Sequence, residues 1–395
     1  MSRPLSIGLL TPALAGVTGP DSGIGVHFRH LADGLAAAGQ RVSVVVVTDQ
    51  PARPTDVFPY EIKSVRVRPP VLAKWMGKFS WQFHQWLTLR AGLRAAAGAA
   101  AQTPVDAWET SSTGSLALRF LRCPGHAPVA VRISTTAAQL RATNAGDRRW
   151  IDGRIEACES ATVHRADRLL THSVAHRAII ARQFGLAPDL IPIIPHGLPM
   201  PPTPIRTAQA GRCRILYVGR LEHRKGIDLL FSALPSLLRA APSADLTLVG
   251  ADRDDFWKKC WRQTAPAGFE DRVHFAGVVD AAALIEHYRA ADMFVAPSRY
   301  ESFGLIFVEA MSHALPVVAL RAPGAIDLIE HGVTGLLAPP EDPAGLAGTL
   351  TQLASDPGLR LRLGAAGRRM AEERYSLPAL AAASLAFYRD MLVSR

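Results

Sequence analysis

The stretch Ala296–Pro316, with the sequence APSRYESFGLIFVEAMSHALP, determines how the second half of the chain is expected to fold. The apolar run Met293–Val295 just before it predicts a buried parallel strand, and the segment Leu305–His313 after Gly304 predicts a helix. A strand, a turn that contains glycine and a helix N-terminus together favour anion binding, because the first amide groups of a helix carry partial positive charge. The stretch therefore predicts an anion site at a strand end.

Two carboxylates, Glu301 and Glu309, flank the start of this predicted helix. One interpretation is a pair of catalytic carboxylates, which in glycosidases lie about 5–9.5 Å apart. If the residues from 301 to 309 were all helical, their backbones would be separated by roughly 12 Å. This weakens the catalytic-pair interpretation without excluding it, because side chains can bend toward each other. Binding of ligand hydroxyl groups and an ordinary surface position are the two alternatives.

The length of 395 residues and the hydrophobic share of 48 % allow two domains with separate cores. Strand and helix patterns alternate on both sides of a proline-rich segment, which predicts an α/β protein with two doubly wound sheets. We expect an N-terminal domain over residues 1–198, a linker over 199–210, a C-terminal domain over 211–375 and a terminal helix over 376–395. This alanine-rich helix is expected to return to the N-terminal domain.

The N-terminal half begins with a predicted strand at Leu5–Leu10, a glycine-containing loop at Thr11–Val26, a helix at His27–Ala38 and a strand at Val42–Val47. This is the order of a Rossmann unit, but the glycines form no close G-x-G-x-x-G fingerprint, so dinucleotide binding is only weakly supported. A backbone that approaches a phosphate and a plain surface loop both stay open. A further short strand is expected at Ile191–Leu198.

Basic residues are concentrated in the first half of the chain. Residues 1–200 contain 22 Lys and Arg against 13 Asp and Glu, and the formal net charge of the whole chain is +10. This excess indicates either an anionic partner or a plain basic surface. Nucleic acid is not expected as a partner, because no recognised binding motif accompanies the charge.

The segment Pro70–Arg94 interleaves aromatic and basic side chains. These are Trp75, Phe79, Trp81, Phe83 and Trp86 with Lys74, Lys78, Arg90 and Arg94. Such a pattern is typical of a helix that lies on an anionic membrane surface. A helix that packs on its own domain and an acceptor-binding groove are the alternatives.

The four cysteines have neither metal-ligand nor redox spacing, which favours a reducing compartment. The first apolar run is too short for a signal peptide, and no run reaches the roughly 20 apolar residues of a membrane span. We therefore expect a cytoplasmic protein. The aromatic and basic segment leaves peripheral attachment to the inner face of the membrane open.

A second predicted strand end reinforces the anion site. The strand Arg214–Gly219 is followed by a charged loop with Arg220 and Lys225, whose positive charges suit a diphosphate. Glu309, which is an acceptor when ionised, suits a pair of vicinal hydroxyls such as a ribose diol. Glu301 lies before the helix and suits another polyol.

These segments together resemble the family 4 retaining glycosyltransferases of GT-B fold. The resemblance rests on Gly219-Arg220-Leu221 with Lys225-Gly226, on Pro297-Ser298, on the signature spacing Glu301-x7-Glu309, and on Ile194-Pro195-His196-Gly197 and Phe275-Ala276-Gly277-Val278. It is dense over about residues 190–340 and looser before them. It implies two Rossmann-like doubly wound domains that face each other across a cleft, with the C-terminal helix crossing back.

The resemblance also implies roles for individual residues. Arg220 and Lys225 would hold the donor diphosphate and Glu301 would lie near the transferred sugar, which makes these three the expected catalytic residues. The expected donor-binding residues are Gly23, Gly25, Val278, Ser302, Phe303, Gly304, Leu305 and Glu309. Among these, Glu309 would bind the ribose, the two N-terminal glycines would face the donor phosphates, and Val278 would lie in the segment that meets the base.

The chain departs from the family pattern after the predicted strand Val129–Ile133. Many members have a histidine there, near the donor sugar, whereas this chain has Ser134-Thr135-Thr136. Ser134 is therefore one candidate for the interdomain cleft. His196 is another, with a plain turn position as its alternative.

The resemblance predicts transfer of a sugar, with retention, from a UDP- or GDP-linked donor to a glycan, lipid-linked or small-molecule acceptor, in polysaccharide or glycolipid biosynthesis. The nucleotide sugar is a co-substrate, and neither a cofactor nor a metal is expected. Asp252 and Asp254 have the spacing of a metal-binding pair but are interpreted as surface residues. A sugar-nucleotide epimerase of GT-B fold and a non-catalytic sugar-nucleotide-binding protein are the alternatives.

Overall fold

The structure is a computed structural model that describes residues 3–18, 22–49, 57–67, 81–143, 149–204, 206–207 and 212–394. The chain divides into two units. The first contains the residues up to Gly197 together with those from Leu377 onward, and the second contains Leu198–Ser376. Each unit is an α/β layer structure with its own parallel sheet and its own hydrophobic clusters.

Six parallel strands form the sheet of the first unit in the order β3-β2-β1-β4-β5-β6, which is the Rossmann order. The central strands are buried and rich in valine, isoleucine and leucine, as expected where helices cover both faces of a parallel sheet. The strands are β1 Ser6–Thr11, β2 Arg41–Thr48, β3 Glu61–Arg66, β4 Ala107–Ser111, β5 Val129–Arg132 and β6 Arg168–Leu170.

Helices connect these strands. They are α1 Gly23–Ala37, α2 Trp81–Ala101, α3 Ala137–Thr143, α4 Trp150–Val163 and α5 Val174–Phe184. Short 3-10 turns lie at Thr113–Ser115, Phe120–Arg122 and Pro188–Leu190.

The second unit has a parallel sheet of six strands in the order β12-β11-β10-β7-β8-β9. The strands are β7 Cys213–Val218, β8 Ala244–Val249, β9 Val273–Gly277, β10 Met293–Ala296, β11 Val317–Leu320 and β12 Gly335–Ala338. Its helices are α6 Ile227–Ala240, α7 Phe256–Thr264, α8 Ala281–Ala290, α9 Leu305–Ser312, α10 Ala325–Leu328, α11 Pro343–Ser355 and α12 Pro357–Arg374. Short 3-10 turns lie at His223–Lys225, Arg253–Asp255 and Glu270–Arg272. Two doubly wound parallel sheets confirm the predicted fold class.

The last helix, α13 Leu377–Val393, returns to the first unit as the sequence predicts. It packs against α1, where the absence of a side chain at Gly34 makes room for the backbone at Leu377. The Tyr388 hydroxyl donates a 2.6 Å hydrogen bond to the buried carboxylate of Glu109. The chain terminus therefore completes the core of the unit that the N-terminus begins.

Two expected boundaries are wrong. Helix α1 begins at Gly23 rather than His27, because the Ser22 hydroxyl accepts a hydrogen bond from the Gly25 amide and caps the helix there. The expected strand Ile191–Leu198 is an irregular segment with two isolated bridges, from Ile193 to Thr171 and from Leu198 to Ser376, since its two prolines cannot donate to a strand ladder.

Part of the expected linker is fixed on the second unit. The Arg206 guanidinium donates to the backbone carbonyls of Tyr288, Ala291 and His313 at 2.6–2.9 Å. Outside the described residues lie Ile205 and residues 208–210 of the expected linker, residues 70–80 of the aromatic and basic segment, and Gly19. None of the helices in the described ranges has both the length and the apolar character that a membrane span requires.

Candidate active site

Two loops meet at the carboxyl edge of the second sheet. Strands β7 and β10 pair with each other, so the loops that follow them, residues 219–226 and 297–304, leave the sheet side by side. The backbone amide of Arg299 donates to the Arg224 carbonyl, and the Arg224 guanidinium donates to the Tyr300 carbonyl, both at 3.0 Å. These bonds join the two loops in which the sequence predicted an anion site.

Gly226 allows the loops to approach this closely. Its φ of 70° lies in the left-handed region, and a Cβ atom at this position would overlap the carbonyl oxygen of Pro297. Gly226 also separates the 3-10 turn that contains Lys225 from the first residue of α6. Any side chain here would have to push the two loops apart.

Lys225 and Glu301 form an ion pair between the loops. Lys225 Nζ lies 2.5 Å from Glu301 Oε1, and each side chain is only 12 % exposed. Arg224 adds a second positive charge, with Nη1 3.8 Å from Glu301 Oε2. Gly324 lies against the backbone of Glu301, where a Cβ atom would not fit. Two of the three expected catalytic residues are thus brought into direct contact.

Arg220, the third expected catalytic residue, is in a more open position. Its side chain is 66 % exposed, and Nη2 lies 3.3 Å from Glu222 Oε1. The Tyr217 hydroxyl donates a 3.0 Å hydrogen bond to the Arg220 carbonyl, which fixes the backbone from which the side chain extends. The Arg220 side chain therefore extends into solvent from a fixed backbone position after β7.

Helix α9 begins at the end of the second loop, with Gly304 as its N-cap at a φ of 98°. One turn into the helix, Glu309 accepts a 2.8 Å hydrogen bond from the Tyr288 hydroxyl. Burial raises the pKa of Glu309, while this hydrogen bond and the charge of Lys225 act in the opposite direction. Tyr288 thus orients the Glu309 carboxylate, and the second carboxylate oxygen is the one that can accept hydroxyl groups of a ligand.

The other residues expected to bind the donor differ in what they can offer. Ser302 and Leu305 are half-buried at the loop end, so each presents part of its surface. The Phe303 side chain is 3 % exposed and packs edge-on against Tyr375 in the core, so only its backbone is placed to touch a ligand. Val278 is 78 % exposed just after β9, as a residue that meets a ligand from outside would be.

Sequence reasoning did not single out three side chains that hold this site. Arg224 and Tyr288 contact the two glutamates, and Arg299 donates two 2.8 Å hydrogen bonds to Asp228 and two more to Glu341. The position of Arg224 inside the charged loop was a usable signal. Tyr288 gave none, because it lies on α8 and its proximity to Glu309 follows only from the folded packing.

In the first unit, Gly23 and Gly25 occupy the first turn of α1 rather than the loop before it. Gly25 is buried, and its amide bonds the Ser22 hydroxyl. A Cβ atom at Gly23 would meet nothing within 4 Å. These glycines therefore stand at a helix N-terminus, which keeps the predicted preference for an anion while changing its structural origin.

Ser134 belongs to a hydroxyl cluster at the ends of β4 and β5. Its Oγ lies 3.1 Å from Ser111 Oγ and 3.0 Å from Thr113 Oγ1. Its carbonyl oxygen lies 3.2 Å from His176 Nε2. The chain thus presents alcohol groups where the family pattern has a histidine.

His196 lies inside the first unit rather than on an accessible surface, because it packs in a group of four histidines. Its Nδ1 is 2.7 Å from His27 Nδ1, and its ring stacks on His172, which in turn stacks on His176. Burial lowers the pKa of all four, to about 4 for His176 and well below the usual 6.5 for the others. The group is therefore neutral at physiological pH.

A cavity of about 800 Å³ opens beside the hydroxyl cluster of the first unit. Its lining includes Thr113, Thr135, Leu140, Arg149 and Glu159. Glu159 accepts hydrogen bonds from the Ser112 hydroxyl and the Ala137 amide, and burial raises the pKa of Glu159 to about 7. The cavity thus combines hydroxyl groups, an apolar wall and a titratable carboxyl.

Among the described residues, no group of three or more histidine, cysteine, aspartate or glutamate side chains is arranged to hold a metal ion. The pair Asp252 and Asp254 does not converge on one point. Asp252 accepts bonds from the first amides of α7, and the Asp254 side chain is 88 % exposed. Both are loop residues, as interpreted from the sequence.

Two family models match the chain. The model described as "Glycosyltransferase Family 4" matches residues 22–200, and the model described as "Glycosyl transferases group 1" matches residues 212–356. The second match contains both loops of the candidate site. Together the two matches cover most of both units and confirm the resemblance found in the sequence.

Relatives of known name are similar over part of the chain. A glycogen synthase from Mycobacterium tuberculosis is 31 % identical over 256 residues, which are 63 % of this chain and 61 % of that protein. A D-inositol 3-phosphate glycosyltransferase from Acidothermus cellulolyticus is 33 % identical over 261 residues, which are 62 % of this chain and 57 % of that protein. The matched region therefore spans about three fifths of the length of these relatives.

Solved structures are similar over nearly the whole chain. A sucrose-phosphate synthase from Thermosynechococcus elongatus has a TM-score of 0.78 with 24 % identity, and each chain is covered completely. The Anabaena protein HepE in complex with UDP and glucose has a TM-score of 0.68 with 18 % identity over 98 % of this chain and all of that chain. At these identities the likeness shows the fold alone.

Proposed function

Because the chain belongs to the family 4 glycosyltransferases, we propose that it transfers a sugar from a nucleoside diphosphate donor to a hydroxyl group of an acceptor. The observation on which this rests most is the contact between Lys225 and Glu301 across two joined loops, beside the N-terminus of α9. A diphosphate needs fixed positive charge, and a sugar needs fixed hydroxyl acceptors. This arrangement offers both within one small region.

Arg220 and Lys225 act on the leaving group in this proposal. As the bond between the sugar anomeric carbon and the β-phosphate oxygen breaks, its electron pair stays on that oxygen and negative charge grows there. Two cations and the amides at the start of α9 stabilise that charge more than the charge of the intact donor, which lowers the barrier. Removal of one such preorganised group in other enzymes costs a factor of about 10² to 10³ in turnover.

Glu301 and Glu309 bind hydroxyl groups of the donor. Glu309, oriented by Tyr288, accepts from the ribose diol, and Glu301 accepts from the transferred sugar once a diphosphate has drawn Lys225 away from it. The residues expected from the sequence to complete the donor site are Ser302, Phe303 through its backbone, Gly304, Leu305 and Val278, with Gly23 and Gly25 facing the phosphates.

We propose transfer with retention of configuration and without a metal. The acceptor oxygen attacks the face from which the diphosphate departs, and the departing phosphate oxygen takes the acceptor proton. Charge stabilisation by Arg220 and Lys225 replaces the role that a divalent cation has in other transferases. Activity that is lost on chelation and regained with magnesium or manganese would contradict the metal-free part.

The proposed acceptor is a hydroxyl-bearing saccharide, polyol or lipid-linked saccharide, in keeping with the names of the relatives, and the hydroxyl-lined cavity of the first unit is its binding site. We place the protein in the cytoplasm and in polysaccharide or glycolipid synthesis. All four cysteines are unpaired, which suits a reducing compartment.

Donor binding tests the proposal first. UDP and GDP, alone and as hexose conjugates, are titrated against the wild-type chain and Lys225→Ala by calorimetry, with Lys259→Ala as an exposed lysine control on the same unit. We expect the wild-type chain to bind either the UDP or the GDP compounds. Only Lys225→Ala should weaken this binding. No binding of either nucleotide would refute the proposal.

Product analysis separates the alternatives. Donor incubated without acceptor should give only slow hydrolysis, and addition of acceptor should give transfer. Conversion of the donor sugar into its epimer without acceptor would identify an epimerase. Nucleotide binding without any turnover, across a panel of acceptors, would identify a binding protein.

A further inference from the structure

An exposed surface of the first unit is formed by the first half of α2 and the start of α4. We call it the aromatic-basic surface and define it by Trp81, Trp86 and Arg90 on α2 with Arg149, Trp150 and Arg154 at the start of α4. Trp81 and Trp150 are 53 % and 46 % exposed. Exposed indole rings on two neighbouring helices of one unit are a feature of interaction surfaces, because an indole offers an apolar ring and a polar N–H at once.

Cations lie against the indole rings of this surface. The Arg149 guanidinium is 4.9 Å from the Trp81 ring centre, and those of Arg154 and Arg90 are 5.5 Å and 5.9 Å from the Trp86 ring centre. Each contact keeps an arginine and a tryptophan together at the surface. The surface therefore presents apolar rings and positive charge in the same place.

The two halves of α2 differ in burial. From Gly92 to Ala100 the helix packs into the core of its unit, with Leu93, Ala96 and Ala97 among the buried residues. From Trp81 to Arg90 no residue is buried. The helix is therefore anchored by its second half, and its first half is held out at the surface.

The stretch of sequence that contains α2 carries positive charge and no acidic residue. Residues 62–105 contain seven Lys and Arg and not one Asp or Glu. In the described part of the chain, no acidic side chain pairs with Arg90, Arg94 or Arg154. Arg149 is paired with Asp152, so the excess charge comes from the other arginines.

The cavity proposed for the acceptor adjoins this surface. Arg149 lines the cavity and also lies over the Trp81 ring. Leu140, a second lining residue, is 47 % exposed. The cavity lining and the aromatic-basic surface therefore share Arg149.

From this juxtaposition we propose that the aromatic-basic surface binds the surface of an anionic phospholipid bilayer, and that the acceptor is a membrane lipid or lipid-linked saccharide whose head group enters the adjoining cavity. This rests on the proposed function for the cavity, but the bilayer contact itself does not. Tryptophan favours the boundary between head groups and acyl chains, and arginine beside it meets lipid phosphates.

A bilayer fits better than a nucleic acid or a protein partner. Trp81 and Trp150 belong to separate helices, and Leu140 adds exposed apolar surface that offers nothing to a phosphate backbone. A lipid interface accepts apolar side chains and cations over one broad area, without a fixed pattern of partners.

Vesicle binding by the full chain tests the proposal. Wild type is sedimented with phosphatidylcholine vesicles with and without phosphatidylglycerol, beside Trp81→Ala/Trp150→Ala and Arg90→Gln/Arg154→Gln. The control is Arg253→Gln/Phe256→Ala, which removes an equally exposed cation and ring from the second unit. Circular dichroism and UDP titration of each variant report folding and the donor site separately.

We expect binding only to the anionic vesicles and a blue shift of tryptophan fluorescence. The double arginine variant should bind about 30-fold more weakly, because each basic residue near an anionic surface contributes a factor of about five. The double tryptophan variant should lose the blue shift, and the control should behave as wild type.

Equal binding to both vesicle types, or unchanged binding in the two surface variants, would overturn the proposal. If UDP binding is intact in that case, the proposed function still stands. Tighter binding of a single-stranded oligonucleotide through the same residues would assign the surface to nucleic acid and also overturn it. Vesicles that hold a lipid-linked acceptor should compete with a water-soluble acceptor for the transferred sugar. If they do not, the proposed acceptor class is refuted.

Discussion

Lys225 Nζ and Glu301 Oε1 lie 2.5 Å apart, although 76 positions separate the two residues in the sequence. Both side chains are largely shielded from water, so the attraction between them is stronger than in an exposed pair. A ligand diphosphate that needs Lys225 must compete with the glutamate. The ion pair therefore links the affinity for the nucleotide to the position of the residue proposed to hold the sugar.

Replacement of the glutamate should separate these two effects. In Glu301→Gln the lysine loses its competing carboxylate, so we expect UDP to bind several-fold more tightly. Turnover should nevertheless fall by about 10² or more, because the sugar loses an ionised hydroxyl acceptor. Calorimetry with UDP and initial rates with the donor measure the two quantities, and a fall in both affinity and turnover would contradict the competition.

Gly226 is expected to tolerate no side chain. Gly226→Ala places a methyl group against the Pro297 carbonyl and adds the strain of a left-handed φ, so we expect a loss of several kcal/mol in stability or a displaced loop that no longer binds UDP. Gly268→Ala is the matched control, since its φ of 85° carries the same strain but no atom lies within 4 Å. Thermal unfolding should show a loss of only about 1 kcal/mol for the control. Equal losses in the two variants would mean that the approach of the loops is unimportant.

The proposed ribose contact can be tested with a ligand that lacks one hydroxyl. Wild type should bind UDP more tightly than 2′-deoxy-UDP, because the Glu309 carboxylate accepts from the diol. In Glu309→Ala the difference between the two ligands should largely disappear, and in Tyr288→Phe it should shrink, because the carboxylate is no longer oriented. Because the tyrosine hydrogen bond lowers the raised pKa of Glu309, Tyr288→Phe should also move the pH at which this discrimination appears upward.

The four buried histidines predict that the protein loses stability in acid. The pKa of His176 is lowered from 6.5 to about 4, so between these pH values the unfolded chain binds more protons than the folded chain. Stability should therefore rise with pH across this window, by at most about 1.4 kcal/mol per pH unit for each histidine. His176→Gln should reduce the slope of unfolding free energy against pH by one such step, and the exposed His274→Gln should not. An unchanged slope in His176→Gln would refute the contribution of the lowered His176 pKa to this pH dependence.

The raised pKa of Glu159 changes stability with pH in the direction opposite to the histidines, which provides an internal check. Its pKa is raised from 4.5 to about 7, so the folded chain binds more protons between these values and this contribution to stability is lost as the pH rises. Glu159→Gln should therefore make the acid sensitivity steeper, because the histidine effect is no longer partly cancelled. Denaturant titrations over this pH range would measure both slopes.

The sequence predicted the elements whose signals are local. Strong apolar runs predicted the ends of β2, β7 and β10 to within one residue, and Gly304 was expected at the start of α9 because a turn needs a glycine. The start of α1 was missed because a serine cap outweighed the low helix propensity of two glycines. The strand predicted at Ile191–Leu198 is wrong, because the prediction followed the apolar residues and neglected the two backbone donors that proline removes.

In the candidate site, too, residues with local signals could be predicted from the sequence, and contacts between distant segments could not. Lys225, Glu301 and Glu309 were named as candidates from charge and spacing at predicted strand ends. Their direct partners were not: Tyr288 reaches Glu309 from another helix, and the pairing of Lys225 with Glu301 depends on how closely Gly226 lets two loops approach. The histidine group was also missed, because its members come from three separate segments, around His27, His172 with His176, and His196, that only the sheet topology of the first unit brings together.

The position of α13 has a consequence for the order in which the chain can fold during synthesis. The ribosome makes β1 to β6 early, but Tyr388, which donates to the second oxygen of the buried Glu109 carboxylate, is made after the whole second unit. Until then the growing first unit has Arg132 on one oxygen of Glu109 but lacks the tyrosine on the other, and one face of α1 is uncovered. The second unit, whose strands and helices are continuous in the sequence, can complete its fold first, so the half of the protein that is synthesised first is the half that finishes last.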